Sequence, residues 1–224
     1  PAWGRPGLPG PGEIAPNDES VGERIEAHAD SLRESGFAVA GAALDSTVQD
    51  ILGQHGQASM AAVQALTDAG VLLARLDAPS DAVPYFRRAL EVAQKVYGRD
   101  HRETAFALHD YAQIQVLAAD PGFAPGATAL HAEALGVRRR VLGERHPETA
   151  ASEISVARQL IRACDAQQPC APADERLAQA LRLATHALEV FRAEGRNEPR
   201  DAYWASELVA QINVKRGARQ MQGR

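Results

Sequence analysis

LGERHPET at residues 142–149 repeats the plan of YGRDHRET at residues 97–104. Gly, His, Glu and Thr return 45 positions later, each time between Ala-rich segments of helical spacing. Such a pair is a duplicated catalytic motif, a metal site or a joint in a repeated structure. The residues favour the joint. Gly143 suits the left-handed conformation that ends a helix. Pro147 suits the first turn of the next, where its missing N–H does no harm. Glu148 sits in that first turn, where the helix dipole favours an acid. In YGRDHRET, Asp100 or His101 serves as cap and Glu103 plays the acidic part.

Outward from the octets, the pattern is helical from residue 19 on. Apolar residues recur at three- and four-residue spacing, as at Ala82, Tyr85, Phe86, Ala89, Leu90 and Val92. No sustained alternation suggests strands. Turn signals divide the chain into about nine helices, near 19–35, 37–53, 57–76, 80–97, 102–118, 125–142, 147–164, 173–194 and 198–217. Gly70, Ala112 and Ala157 occupy the middle of successive first helices, and Gly98, Gly143 and Gly195 end the second helices. The distance from Gly98 to Ala112 equals that from Gly143 to Ala157. Second helices match as well, pairing Ala82 and Ala89 with Ala127 and Ala134 and with Ala180 and Ala187. Removing loop insertions near 119–125 and 164–174 leaves a unit of about 42 residues.

Paired helices with small residues at their crossings resemble the tetratricopeptide repeat. The G-x-x-H-P-x-T-A joint is similar to that of the kinesin-light-chain variety common in bacterial proteins. LGERHPETA fits it, while YGRDHRETA carries Arg102 where Pro is usual. The resemblance is good over about 65–165, weaker over 173–217 and degenerate over 19–56. It implies an all-α solenoid of stacked antiparallel hairpins whose first helices line a concave groove. The expected division is a Pro/Gly-rich tail over 1–18 and a solenoid over 19–218. The solenoid comprises a degenerate unit at 19–56, repeats at 57–98, 102–143 and 147–195, and a capping helix at 198–217; a short tail at 219–224 follows. Independently of family, one hairpin cannot bury its apolar face alone, so stacking supplies the core.

Bulk properties exclude several classes. The 224 residues carry a net charge of −5 with acids and bases interspersed, so no basic footprint points to nucleic acid. Mean hydropathy is −0.29 and no run of 18 apolar residues suggests a membrane span. The first sixteen residues hold five Pro and four Gly and read as an extended or disordered tail, with Trp3, its one aromatic residue, as a candidate docking anchor. Starting at Pro1, the chain reads as a processed or excised segment.

Chemistry-bearing patterns are absent or mundane. The seven His form no H-E-x-x-H pair, and HAEAL at 131–135 lacks the second His. GPGE at 10–13 is no phosphate loop, and no G-x-S-x-G elbow occurs. No catalytic set, metal or cofactor is expected. Glu153 and Glu207 read as exposed carboxylates, and RRR at 138–140 reads as a solvated face near a helix C-terminus. Cys164 and Cys170 flank DAQQP in the longest insertion. Their spacing permits a small disulfide loop, with two unrelated thiols as the alternative. A bridge would mean an oxidising, extracytoplasmic compartment; two thiols would suit the cytoplasm.

Counting from the central small residues places Thr67 and Val71, His109 and Gln113, and Ile154 and Arg158 toward the groove, with Arg75 and Arg162 one turn further on. Arg158 is then the residue for an acid and His109 a pH-sensitive donor. The Lys/Asn carboxylate clamp of chaperone-binding tetratricopeptide domains is not recognisable, because neither residue occupies these places. The expected function is a non-enzymatic adaptor that holds a protein or peptide segment, with self-association left open. The alternative is a sensory or oligomerising extracytoplasmic segment of a larger bacterial signalling protein, such as a receptor-type Ser/Thr kinase.

Overall fold

The computed structural model describes residues 21–119, 125–166, 173–193 and 199–222. The N-terminal tail with Trp3, the position of Cys170 and Gly195 lie outside these residues. Every regular element among the described residues is an α-helix. The chain forms two compact units, residues 1–96 and 97–224.

The first unit contains α1 (Val21–Glu26), α2 (Ala29–Ser35), α3 (Phe37–His55), α4 (Met60–Arg75) and α5 (Pro79–Tyr97), whose last residue lies past the boundary. The single helix expected over 19–35 is instead α1 and α2. At the break the His28 amide donates to the Ile25 carbonyl, a tightened turn without a side-chain cap. His28 Nε2 lies 2.8 Å from Thr47 Oγ1 on α3, so a tertiary contact occupies the ring at the interruption. Gly36, at φ 73°, separates α2 from α3. Ser59 caps α4 by accepting from the Ala62 amide at 3.1 Å. The α4–α5 turn places Asp77 at φ 60°, and the Ala78 amide returns to the Leu73 carbonyl at 3.0 Å.

Gly70 shows why small residues mark the crossings. A Cβ there would lie 2.7 Å from the Phe86 ring, so α4 meets α5 only because position 70 has no side chain. Ala82, Ala89 and Ala93 on α5 are buried, as are Ala62, Ala65 and Ala69 on α4.

The second unit contains α6 (Arg102–Ala118), α7 (Pro125–Leu142), α8 (Pro147–Ala166), α9 (Ala173–Ala193) and α10 (Pro199–Gln222). Consecutive helices pack against each other along the chain. The expected spans for α6 and α7 match to the residue; α8 and α10 run further, and α10 reaches Gln222. Ala112 and Ala157, the central small residues of α6 and α8, are fully buried. An apolar cluster joins α8, α9 and α10 through Ile154, Ile161, Leu177, Leu188, Leu208 and Ile212.

Candidate functional site

The site begins at the two octets, whose local geometry is duplicated bond for bond. Gly98 and Gly143 take φ 82° and 90°. His101 Nδ1 accepts from the Glu103 amide and His146 Nδ1 from the Glu148 amide, each at 3.2 Å. Thr104 Oγ1 donates to the Gly98 carbonyl at 2.6 Å and Thr149 Oγ1 to the Gly143 carbonyl at 2.9 Å. The repeated Gly, His and Thr therefore end one helix, cap the next and tie the turn shut. This ring nitrogen takes the role that Ser or Asp side chains take elsewhere.

Arg102, which replaces the usual Pro, turns the joint into a link between repeats. Its guanidinium reaches both oxygens of Glu148, in the equivalent first turn of α8, at 3.4 and 2.5 Å. It also stacks over Phe106, with Cζ 5.2 Å from the ring centroid.

Arg138 packs on the same ring at 4.6 Å. It is 3% exposed and donates to Ser152 Oγ at 2.7 Å and to the Glu148 carbonyl at 3.1 Å. Burial lowers its affinity for the proton, and Glu148 and Asp110 partly offset that effect. Arg139 binds Glu153, and Arg140 binds Asp100. The triple-Arg stretch is thus no simple solvated face: its first member is buried, Arg138 and Arg139 bind α8, and Arg140 binds the turn before α6. Glu153 likewise is not an exposed carboxylate. It is fully buried, with Arg139 on one oxygen at 2.8 Å and His186 Nδ1 on the other at 2.7 Å, joining α7, α8 and α9. A buried carboxylate requires such pairing.

Of the proposed groove positions, Thr67, Val71 and Arg75 belong to the first unit. Thr67 is 2% exposed and its hydroxyl donates to the Val63 carbonyl at 2.8 Å, which leaves it no surface to offer a ligand. Arg75 is exposed and clasps Glu26 through both terminal nitrogens at 3.0 and 3.1 Å. Val71 is half-buried.

The remaining positions gather in the second unit. Gln113 on α6 is half-buried, Ile154 on α8 is buried, and Arg158 and Arg162 are exposed one turn apart on α8. The Arg158 proton affinity is lowered, first by desolvation and then by Arg162. Without a ligand, His109 does not act as the pH-sensitive donor its position suggested. Burial, then Arg138 and the neighbouring His131, hold it well below the usual histidine range and therefore neutral near pH 7. The two rings meet edge to face with centroids 5.2 Å apart.

His131, Arg138, Ser152 and Gln159 were missed as site residues. A signal was present in the spacing. Seven residues separate His131 from Arg138 and Ser152 from Gln159. That is two helical turns, so each pair shares a face. His131 lies on a second helix, whereas the expected groove positions all lie on first helices. Cys164 is buried, and Cys170 lies outside the described residues.

Sequence profiles of the tetratricopeptide repeat match residues 59–125 and 122–148. No curated protein matches the sequence. Among solved structures, a kinesin light chain-like protein of nearly identical TPR-like repeats from Podosopora anserina is similar in a variant form. It has 14% identity and a TM-score of 0.63, and the match covers 91% of each chain. A second structure of that protein gives 14% identity, a TM-score of 0.61, and coverage of 91% of this chain and 92% of that one. BtubC (BKLC) from P. vanneervenii gives 18% identity, a TM-score of 0.50, and coverage of 91% and 83%. At these identities the structures speak for the fold. The profiles place tetratricopeptide repeats, a kind of repeat that typically mediates protein–protein interaction, within residues 59–148, and the fold is similar to that of kinesin light chain-like TPR repeats.

Proposed function

We propose that the chain binds an acidic segment of a protein partner on the face formed by α6 and α8. The observation that carries this reading is the exposed Arg158, one turn from Arg162. Like charges one helical turn apart disfavour each other, and a carboxylate laid across them relieves the repulsion. Arg158 makes no hydrogen bond or ion pair with any described residue, so its guanidinium is available. Gln113 on α6 supplies an amide that can bond a partner backbone. A segment held this way is recognised at points along its length, as extended peptides are.

The duplicated His and Thr side chains of the octets are occupied in capping and turn closure, which argues against a catalytic use for them. The test is affinity capture from extracts of the source cell, with the native chain and an Arg158→Glu chain side by side. A partner that the native chain retains and the variant loses is the expected result. Equal retention by both would remove Arg158 from the binding face.

A further inference from the structure

In the second unit, α6, α7 and α8 carry buried polar atoms that stacking alone does not require. His131 on α7 is 1% exposed, and neither ring nitrogen has a hydrogen-bond partner among the described residues. The same holds for His109 Nδ1 on α6, Thr128 Oγ1 and Arg138 Nε on α7, and Gln159 Oε1 on α8. Thr128 lies one turn before His131. Arg138 meets Ser152, and α7 and α8 pack as antiparallel neighbours. Two turns along each helix therefore bring His131 level with Gln159. Buried polar atoms carry a standing desolvation penalty, so a cluster of them marks a place that another polar group completes.

The charges around the cluster select the class of that group. On α6 they are Arg102 and Asp110, on α7 Arg138, and on α8 Glu148, Arg158 and Arg162. Arg138 acts on both imidazoles and Arg162 on His131, whereas the carboxylates Glu148 and Asp110 act on Arg138. The field at the two rings is therefore positive. It repels a metal ion or an ammonium group and attracts an acid. Arg162 also connects the buried ring to the exposed face, since it stands one turn from Arg158 on the same helix.

We propose that the His109–His131 pair is the inner half of an acid-recognition subsite, in which a ligand carboxylate docking at Arg158 and Arg162 is met by an imidazolium formed on binding. This deepens the reading of the α6–α8 face and rests on it. The proton comes from solvent and stays on the imidazole; the carboxylate remains ionised. Without ligand, burial and Arg138 keep the pair neutral, and His131 titrates only at about 4. A carboxylate in contact with the ring offsets the local positive field and stabilises the charged form. Binding then takes up a proton, and affinity rises as pH falls, by at most about tenfold per pH unit for each proton.

The test uses the full chain and a fluorescent glutamate-rich decapeptide at constant ionic strength. Its Kd is measured at pH 5.5, 6.5 and 7.5, and the histidine ring signals are titrated by NMR with and without peptide (pH values chosen to bracket the ordinary histidine range of about 6.5). The expected result is about three- to tenfold tighter binding per unit of acidification. The His131 midpoint should move up by at least about three units on saturation, from about 4 to about 7 or above, because threefold steps up to pH 7.5 require a bound midpoint that high. His131→Gln, which keeps a polar amide, should bind without pH dependence. A native-chain Kd that stays constant across this range, or an unmoved His131 midpoint with peptide bound, overturns the proton linkage. The face reading survives that outcome if Arg158→Glu still abolishes binding. A peptide that binds at no pH overturns both. If His131→Gln does not fold, the native-chain titration decides alone.

Discussion

Two junctions in the second unit hold helices together by different means. Where α8 meets α9 and α10, the contact is mainly apolar, with His186 on Glu153 and Lys215 on Asp165 as its ionic additions: Ile154, Ile161, Leu177, Leu188, Leu208 and Ile212 fill it, with Ala180, Ala184 and Ala187 letting the helices approach. Where α7 meets α8, Arg138 reaches Ser152 and Glu148, Arg139 reaches Glu153, and His131 and Gln159 bring unpaired polar atoms into the interface. In a repeat stack, stability is roughly a sum over nearest-neighbour interfaces. Each junction therefore opens according to its own chemistry. The apolar one should answer to side-chain volume, and the polar one to protons and salt. The second includes α8, one helix of the face proposed to bind.

Several changes would sharpen or break this contrast. The largest expected effect is in the apolar junction. Leu177→Ala removes a fully buried side chain and should destabilise the second unit by about 4 kcal/mol. Denaturant unfolding at low and high salt should give the same loss. A loss that halves in high salt would put charge where the account puts packing.

Acidification is next. His131 titrates at about 4 when folded, against about 6.5 when unfolded, so the unfolded chain binds the proton first. The stability held above the unfolded value is lost as pH falls from about 6.5 toward 4, and for this group nothing further is lost below. The 2.5-unit difference corresponds to about 3 kcal/mol. Hydrogen exchange should show α6 and α7 losing protection in acid before α9 and α10. Simultaneous loss would erase the distinction between the junctions.

Arg138→Met should cost about 2 kcal/mol, because charged hydrogen bonds are lost while a buried charge is also removed. It should also raise the His131 midpoint, since Arg138 is the second cause of its depression after burial. NMR titration of the variant reads this directly. The smallest effect should come from Arg102→Pro. It restores the usual joint and gives up a half-exposed ion pair to Glu148, and the two changes should cancel to within about 1 kcal/mol. Thermal unfolding of the variant checks it.

Most of the fold was legible because repetition made it so. Gly98 and Gly143, Ala112 and Ala157, and the His and Thr of each octet recur at one spacing, and each has a local geometric role that a sequence can display. The break at Ala27–His28 was not legible, because it accompanies a contact with Thr47, nineteen positions on. Polar residues inside the stack were misread for the same reason. RRR at 138–140 and Glu153 look like surface residues until their partners, ten to forty positions away, are placed beside them. The groove estimate, which rests on helical phase alone, put Arg158 and Arg162 toward the groove, and both are exposed. It mistook Thr67 for a surface group, and it passed over His131, whose importance depends on a neighbouring helix.

The most direct test of the central claim asks which face the partner touches. A photo-reactive residue would be placed at Gln113 on α6 and, in a separate chain, at Glu189, which is exposed on α9. Each chain would be irradiated in the presence of the captured partner. Cross-linking from position 113 and not from 189 is the predicted result. Cross-linking from 189 alone would contradict it and move binding to the second helices.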